Sequence, residues 1–339
     1  MSSKVNRQVR LKSRPTGIPQ ADNFEIIETT LPEIRDGQFL VRNEYLSVEP
    51  AMRGWVSVVG NYSTPVRIGE VMRSFSVGKV VASRHSNYAE GDVVMGMLGW
   101  QDYALSDGGS ITRKVKETDL PVSLSLGVLG LNGVTAYFGL LDVGQPRPGD
   151  TVVVSTAAGA VGSVVGQIAK LMGCRTVGLT GGPAKTRICT EEFCYDAAID
   201  YKAGDKLFDA ISASCPRGVD VYFDNTAGAI SDAVLAQLAI GARVVICGTA
   251  SVTNWDPIPM GPRVERHLLV KRASMSGFLI FDYVHRYEQA VARLAAWVRE
   301  GRIRYREHVD DGIEHCPGAI AELYRGENLG KRLIRLHHL

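Results

Sequence analysis

The sequence predicts an α/β protein in two parts: a partly open β-barrel and a doubly wound parallel sheet. Three observations carry this. Residues 1–122 hold strand-like segments divided by Gly, Pro and Asp-rich turns, and no helical pattern there is as long as the later ones. Residues 123–300 alternate short apolar runs with helical periodicity, as parallel strands with helical crossovers do. The tail, ending RLIRLHHL, is strand-like again. Residues 1–122 with 301–339 are therefore expected to form one domain, and residues 123–300 the other.

In the first part, FLVRNEYLSV (39–48), VGKVVAS (77–83), DVVMGML (92–98) and the region around Ala104 alternate or run apolar. Residues 120–143 carry no charge before Asp142, but Pro121, Asn132 and four glycines interrupt them. A buried helix pair is expected there, rather than a membrane span. Strands follow at TVVVST (151–156), TVGLT (176–180), AAIDY (197–201), VDVYFDN (219–225), ARVVICG (242–248) and SMSGFLI (274–280). Helices are expected between them, including residues 229–238. Tyr287, Val291, Leu294, Ala295 and Val298 recur at helical spacing within 285–300.

The segment TVVVSTAAGAVGSVVGQIAK (151–170) is the most informative of these. Three valines suit a buried parallel strand. A small-residue turn with Gly159 and Gly162 follows, and then a helix with Val161, Val164, Val165, Ile168 and Ala169 on one face. Strand, glycine turn and helix make a site for a dinucleotide pyrophosphate, because free N–H groups at the helix start face the anion. The pattern is Thr156-x-x-Gly159-x-x-Gly162, not a full GxGxxG. With RTVGLT (175–180) it completes a β-α-β unit of about 30 residues.

An NAD-binding unit puts an acid at the end of its second strand, to hold the ribose 2′-hydroxyl. Here Thr180, Gly181 and Gly182 stand there, and Lys185 and Arg187 follow. Cations without the acid suit a 2′-phosphate, so the expected cofactor is NADP(H), with Lys185 the leading contact.

A length of 339 residues suits two domains. A net charge of +2, with no sustained basic stripe, gives no nucleic-acid footprint. Cys174, Cys189, Cys194, Cys215, Cys247 and Cys316 form no CxxC, which fits reduced thiols of the cytoplasm. The N-terminus lacks an apolar signal core. No membrane partner is expected.

LSVEPAMRGW (46–55), VGKVVAS, GVTAYFGLLDVG (133–144), the glycine segment, YFDNTAG (222–228), VVICG (244–248) and GENLGKRLI (326–334) occur in an order that resembles the medium-chain dehydrogenase/reductases. Within that superfamily the chain looks like the zinc-independent prostaglandin reductase (leukotriene B4 12-hydroxydehydrogenase) and curcumin reductase group. The resemblance implies a GroES-like barrel, a Rossmann domain and a homodimer paired through the strand around residues 274–280. It implies NADPH-dependent reduction of the carbon–carbon double bond of α,β-unsaturated ketones or aldehydes. Gly159, Ala160, Val161, Gly162 and Ser163 would then touch the pyrophosphate, and Lys185 and Tyr201 the 2′-phosphate. Asn225, Cys247 and Gly248 would line the cofactor cleft, Phe278 and Ile280 would flank the nicotinamide, and Thr135 and Asn328 would also face the cofactor.

The zinc-dependent relatives carry a GHE motif where this chain reads VMRSFSVG (71–78), and no cysteine precedes Cys174. Zinc sites need three or four such ligands, so no metal is expected. The chain also departs from its relatives at two tyrosines: EPAMR places Ala51, and CGTASVTN (247–254) places Thr253, where they carry Tyr. Thr253 donates one hydrogen bond but is a very weak acid. Tyr62 is the leading candidate for a replacement phenol, and Tyr283 is another. Trp55, Trp100 and Trp255 are candidates for an apolar substrate wall or for core packing. Two other readings stay open at this level: an NADP-dependent alcohol dehydrogenase or quinone reductase, and an NADPH-binding interaction protein without turnover.

Overall fold

A computed structural model describes residues 5–58, 62–204, 206–252, 257 and 259–337. The chain divides into two compact units, Met1–Leu126 with Glu307–Leu339, and Gly127–Arg306. The boundaries expected at 122/123 and 300/301 fall a few residues earlier. Among the described residues the strands of unit 1 are β1 (Val5–Leu11), β2 (Phe24–Thr30), β3 (Phe39–Ser47), β4 (Ser76–Ser83), β5 (Val93–Gly96), β6 (Tyr103–Ser106) and β7 (Ile111–Lys114). Unit 2 holds β8 (Thr151–Ser155), β9 (Arg175–Thr180), β10 (Ala197–Asp200), β11 (Val219–Asp224), β12 (Leu238–Ile246) and β13 (Ser274–Gly277). The chain then adds β14 (Glu307–Asp311) and β15 (Lys331–Arg335) to unit 1.

In unit 1 one sheet runs β14-β15-β3-β4-β5-β7, with β6 also on β3. Phe39 and Val41 of β3 alternate inward and pack with Val80, Val94, Leu98 and Ala104. β15 pairs antiparallel with the end of β3, Leu333 opposite Ser47, so the tail lies beside the segment leaving that strand. β1 and β2 form an antiparallel hairpin that the sequence reading did not assign. Of their apolar residues Val9, Leu11 and Phe24 are buried while Val5 and Ile26 are exposed, and the polar Asn6 is buried beside them, so the apolar signal is thin.

Unit 2 is a parallel sheet in the order β10-β9-β8-β11-β12-β13. Every residue of β8 is buried, because helices cover both faces of a central parallel strand. β8 pairs with β9 on one side and β11 on the other, so the order reverses at β8. Ligands bind such sheets at the carboxyl ends beside that reversal. Three expected elements differ in extent. β13 stops at Gly277, and residues Ile280–Arg286 form a 3₁₀ turn. The helix placed at 229–238 runs Gly228–Leu235, because Leu238 already pairs in β12. The helix pair of 120–143 is a 3₁₀ turn, Val122–Leu126, then an α-helix, Leu131–Phe138, that runs into a π-helical turn, Gly139–Gly144. That turn forms where the Phe278 ring fills the place of a side chain: a Cβ on Gly139 would lie 2.5 Å from Phe278 Cζ.

Candidate active site

The carboxyl end of β8 is strained. Thr156 has φ 50°, a left-handed conformation that a β-branched residue rarely takes. Its hydroxyl donates to Ser155 O at 2.7 Å. The turn it starts closes on Gly162, where a Cβ would lie 2.3 Å from Thr156 O, so only glycine fits. The helix Gly162–Leu171 then begins with no side-chain cap.

The sequence reading grouped five turn residues as phosphate contacts, and the backbone separates them. The Gly159 N–H donates to Thr156 O and the Ser163 N–H to Gly159 O, leaving Ser163 its hydroxyl to offer. The N–H groups of Ala160, Val161 and Gly162 meet no acceptor among the described residues. Three unspent donors at an uncapped helix start suit a pyrophosphate.

At the end of β9, Gly181 leaves room that a side chain would close. A Cβ there would meet the Tyr201 hydroxyl at 2.9 Å and Lys202 Cε at 3.0 Å. Lys185 sits half-buried nearby, its pKa lowered by burial and further by Lys202. Burial, with the nearby Asp200 adding, raises the pKa of the Tyr201 phenol. Asp200, at the end of β10, is turned onto backbone: its Oδ1 accepts from the N–H groups of Gly182 and Lys202 at 2.8 and 2.9 Å. Two like charges beside one gap, with the neighbouring acid occupied, fit a 2′-phosphate. The sequence reading missed Lys202, although it follows Tyr201 directly.

Asn225, Cys247 and Gly248 gather at the carboxyl ends of β11 and β12. Asn225 Nδ2 donates to Ser155 O at 2.7 Å and its N–H to Ser155 Oγ at 2.8 Å, binding β11 to β8. The N–H groups of Cys247 and Gly248 both donate to Asp224 O. Asp224 is itself buried, with Thr226, Ala227, Tyr222 and Ser231 donating to its carboxylate. Burial, with Asp224 adding, pushes the Cys247 thiol up to about 12.

The remaining residues fall in separate places. Tyr283 stacks on Phe138 at 4.7 Å and meets Phe278 edge-on at 6.3 Å, so those two candidates share one aromatic cluster of unit 2. Ile280 is buried, and Thr135 is half-buried on the helix before the π turn. In unit 1, Asn328 is buried and its Nδ2 donates to Gly330 O. Tyr62 is 52% exposed. Trp55 and Trp100 are 2% and 0% exposed, and Trp100 Nε1 donates to Ser47 O. Both are buried in unit 1, as the core-packing reading of the two expects. Thr253 and Trp255 lie outside the described residues.

Comparison with known proteins agrees with this layout. Residues 7–114 match a model described as the N-terminal domain of oxidoreductase, and residues 160–296 one described as zinc-binding dehydrogenase. The chain is 43% identical to the NADPH-dependent curcumin reductase of Escherichia coli (strain K12), over 98% of this chain and 97% of that one. The chain belongs to the zinc-independent medium-chain dehydrogenase/reductases. It is 38% identical to prostaglandin reductase 1 of Sus scrofa, over 96% of this chain and 97% of that one. The crystal structure of CurA in complex with NADPH from Vibrio vulnificus superposes with a TM-score of 0.92 at 42% identity, over 98% of this chain and all of that one. Although one matching model of this family is named for zinc, no group of three or more His, Cys, Asp or Glu among the described residues could hold a metal ion.

Proposed function

We propose that this protein is an NADPH-dependent reductase of the carbon–carbon double bond of α,β-unsaturated ketones and aldehydes. One observation carries the reading: a curcumin reductase match along nearly the whole chain, joined to unspent N–H donors and a two-lysine corner at the two phosphate positions. When bound, NADPH supplies a hydride to the β-carbon of the substrate. Ala160, Val161 and Gly162 bind the pyrophosphate through N–H groups. Lys185, Tyr201 and Lys202 hold the 2′-phosphate. Gly159 and Ser163 shape the turn, while Asn225, Cys247 and Gly248 form the wall at the strand ends. Phe278, Ile280, Thr135 and Asn328 complete the cofactor contacts. The VMRSFSVG segment lacks the ligands of the zinc-dependent relatives, so protein hydrogen bonds must meet the charge that develops on the carbonyl oxygen. Tyr62 and Thr253 are the donors, with Tyr283 and Trp255 against the substrate. Tyr62→Phe keeps the ring and removes the proton. It should lower kcat about 100-fold with NADPH affinity retained. An unchanged kcat would remove Tyr62 from this role.

We also propose a homodimer formed through β13. This edge strand is exposed and exposes unpaired backbone groups to a partner. Leu269, Val270, Leu279, Phe281 and Val284, all near it in the chain, are exposed. Sedimentation equilibrium should give twice the chain mass, and a charged residue at Ser276 should give the monomer. No helix among the described residues is long and apolar enough to cross a membrane. Free cysteines throughout suit the reducing cytoplasm, where the protein is proposed to act.

A further inference from the structure

The tail of the chain grips four successive residues of the segment leaving β3. Lys331 of β15 is buried, its side chain 4% exposed, and its ammonium donates to Ser47 Oγ at 2.6 Å, Val48 O at 3.1 Å and Glu49 Oε1 at 2.7 Å. Those three bonds match the three protons of an ammonium. Ser47 Oγ donates in turn to Glu49 Oε1 at 2.7 Å. The Val48 N–H donates to Arg332 O. Tyr324, on the preceding helix Cys316–Arg325, donates its hydroxyl to Pro50 O at 2.9 Å. The next residues form the short helix Ala51–Trp55, and the Arg53 guanidinium lies 5.3 Å over the Tyr324 ring.

This grip is costly for a structural tie. A buried ion pair gives little net stability, and an apolar pair of similar volume often does as well or better. Its evident product is geometry: it fixes the height and direction of the turn at Ala51. We propose that Lys331, Glu49 and Tyr324 are positioning residues that aim the Ala51–Trp55 turn at the enone. The inference rests on the reductase reading above, and on Ala51 standing where the related reductases carry one of their two tyrosines. With alanine in place of a tyrosine at position 51, placement of the backbone must do more of the fitting.

The test removes both charges together with Glu49→Gln/Lys331→Met, and separately removes one hydroxyl with Tyr324→Phe. The double variant removes the Glu49–Lys331 pair together but takes from the half-buried Glu307 the lysine that favours its charge, so its Tm should fall modestly and is measured beside the kinetics. Its kcat/KM for an enone such as 3-nonen-2-one should fall about 10- to 100-fold, because small misplacements beside a reacting group are expensive. Tyr324→Phe should fall about threefold. In both, NADPH affinity should remain within about twofold, and amide exchange at residues 51–55 should quicken. Wild-type turnover is the control: its absence overturns the reductase reading, while the exchange result still reports on the grip. Unchanged kcat/KM in both variants, or losses that only track Tm, would overturn the positioning role. If the double variant does not fold, Tyr324→Phe alone decides between these outcomes.

Discussion

The hydroxyl of Tyr195 donates a 2.6 Å hydrogen bond to the carbonyl of Gly162, the first residue of the helix that opens the phosphate site. The same phenol occupies the space beside Gly166, where a Cβ would lie 2.1 Å from Tyr195 Cζ. The tyrosine is buried, so it braces that first turn from beneath. Gly166→Ala must push it away. The expected cost is about 1–3 kcal/mol of stability from overpacking, with weaker NADPH binding as the turn shifts. Thermal unfolding and a fluorescence titration with NADPH check both. An unchanged Tm would mean the ring moves freely and braces nothing.

The lysine corner should set cofactor choice and its pH dependence. Lys185→Ala should weaken NADPH by about 1.5–3 kcal/mol and leave NADH nearly unchanged, since only NADPH brings the phosphate. Burial and Lys202 lower the Lys185 pKa below the ordinary 10.5. Bound phosphate favours the charged lysine and raises that value again. Between the free and bound values, binding therefore takes up a proton, and NADPH affinity falls as pH rises toward 10.5. Without cofactor the sign reverses: the depressed lysine favours the folded state more as pH rises through its folded value toward 10.5. Paired titrations with NADPH and NADH across alkaline pH distinguish this from a general loss of structure, which would weaken both.

Thr156 is strained at φ 50°, so Thr156→Gly should raise stability by about 1 kcal/mol, the cost of a β-branched residue held left-handed. The gain will be smaller if the lost hydroxyl bond to Ser155 O matters. Urea unfolding of the two proteins measures it. A variant less stable than wild type would show that the hydroxyl bond outweighs the strain.

Much of unit 2 could be read from the chain because its signals are local. The valines of β8 and the glycines that follow show a buried strand and a close approach directly in sequence. Lys185 was legible for the same reason, as a cation just beyond a strand end lacking an acid. Lys202 was not, because its approach to Gly181 depends on how β10 pairs with β9. Trp100 shows the opposite limit. An indole reads equally well as core or as pocket wall until Ser47 O is found within its reach. The β1–β2 hairpin was hidden because burial of Val9 and Leu11 comes from tertiary packing over a mostly polar strand.

An enzyme that handles enals meets thiol-reactive substrates. Burial pushes Cys174 and Cys215 to about 11 and Cys189 to about 12, and it raises Cys316 well above the usual thiol value. Cys247 is also held at about 12. Cys194 is exposed. Only thiolates react quickly, so acrolein or iodoacetamide at pH 8 should modify Cys194 first and leave the other five until unfolding. Peptide mapping by mass spectrometry reports the sites. Early modification of Cys247 would show that its thiol is more accessible and more acidic than this.

The proposed reaction is conjugate reduction with NADPH at a site whose own groups stabilise the developing oxyanion. It is tested most directly by turning over a simple enone with NADPH carrying deuterium at nicotinamide C4 and locating the label by NMR. The product should be a saturated ketone, with one deuterium on the β-carbon and the carbonyl intact. Deuterium on the carbonyl carbon of an allylic alcohol, or binding of NADPH with no turnover across a panel of enones and enals, would contradict it.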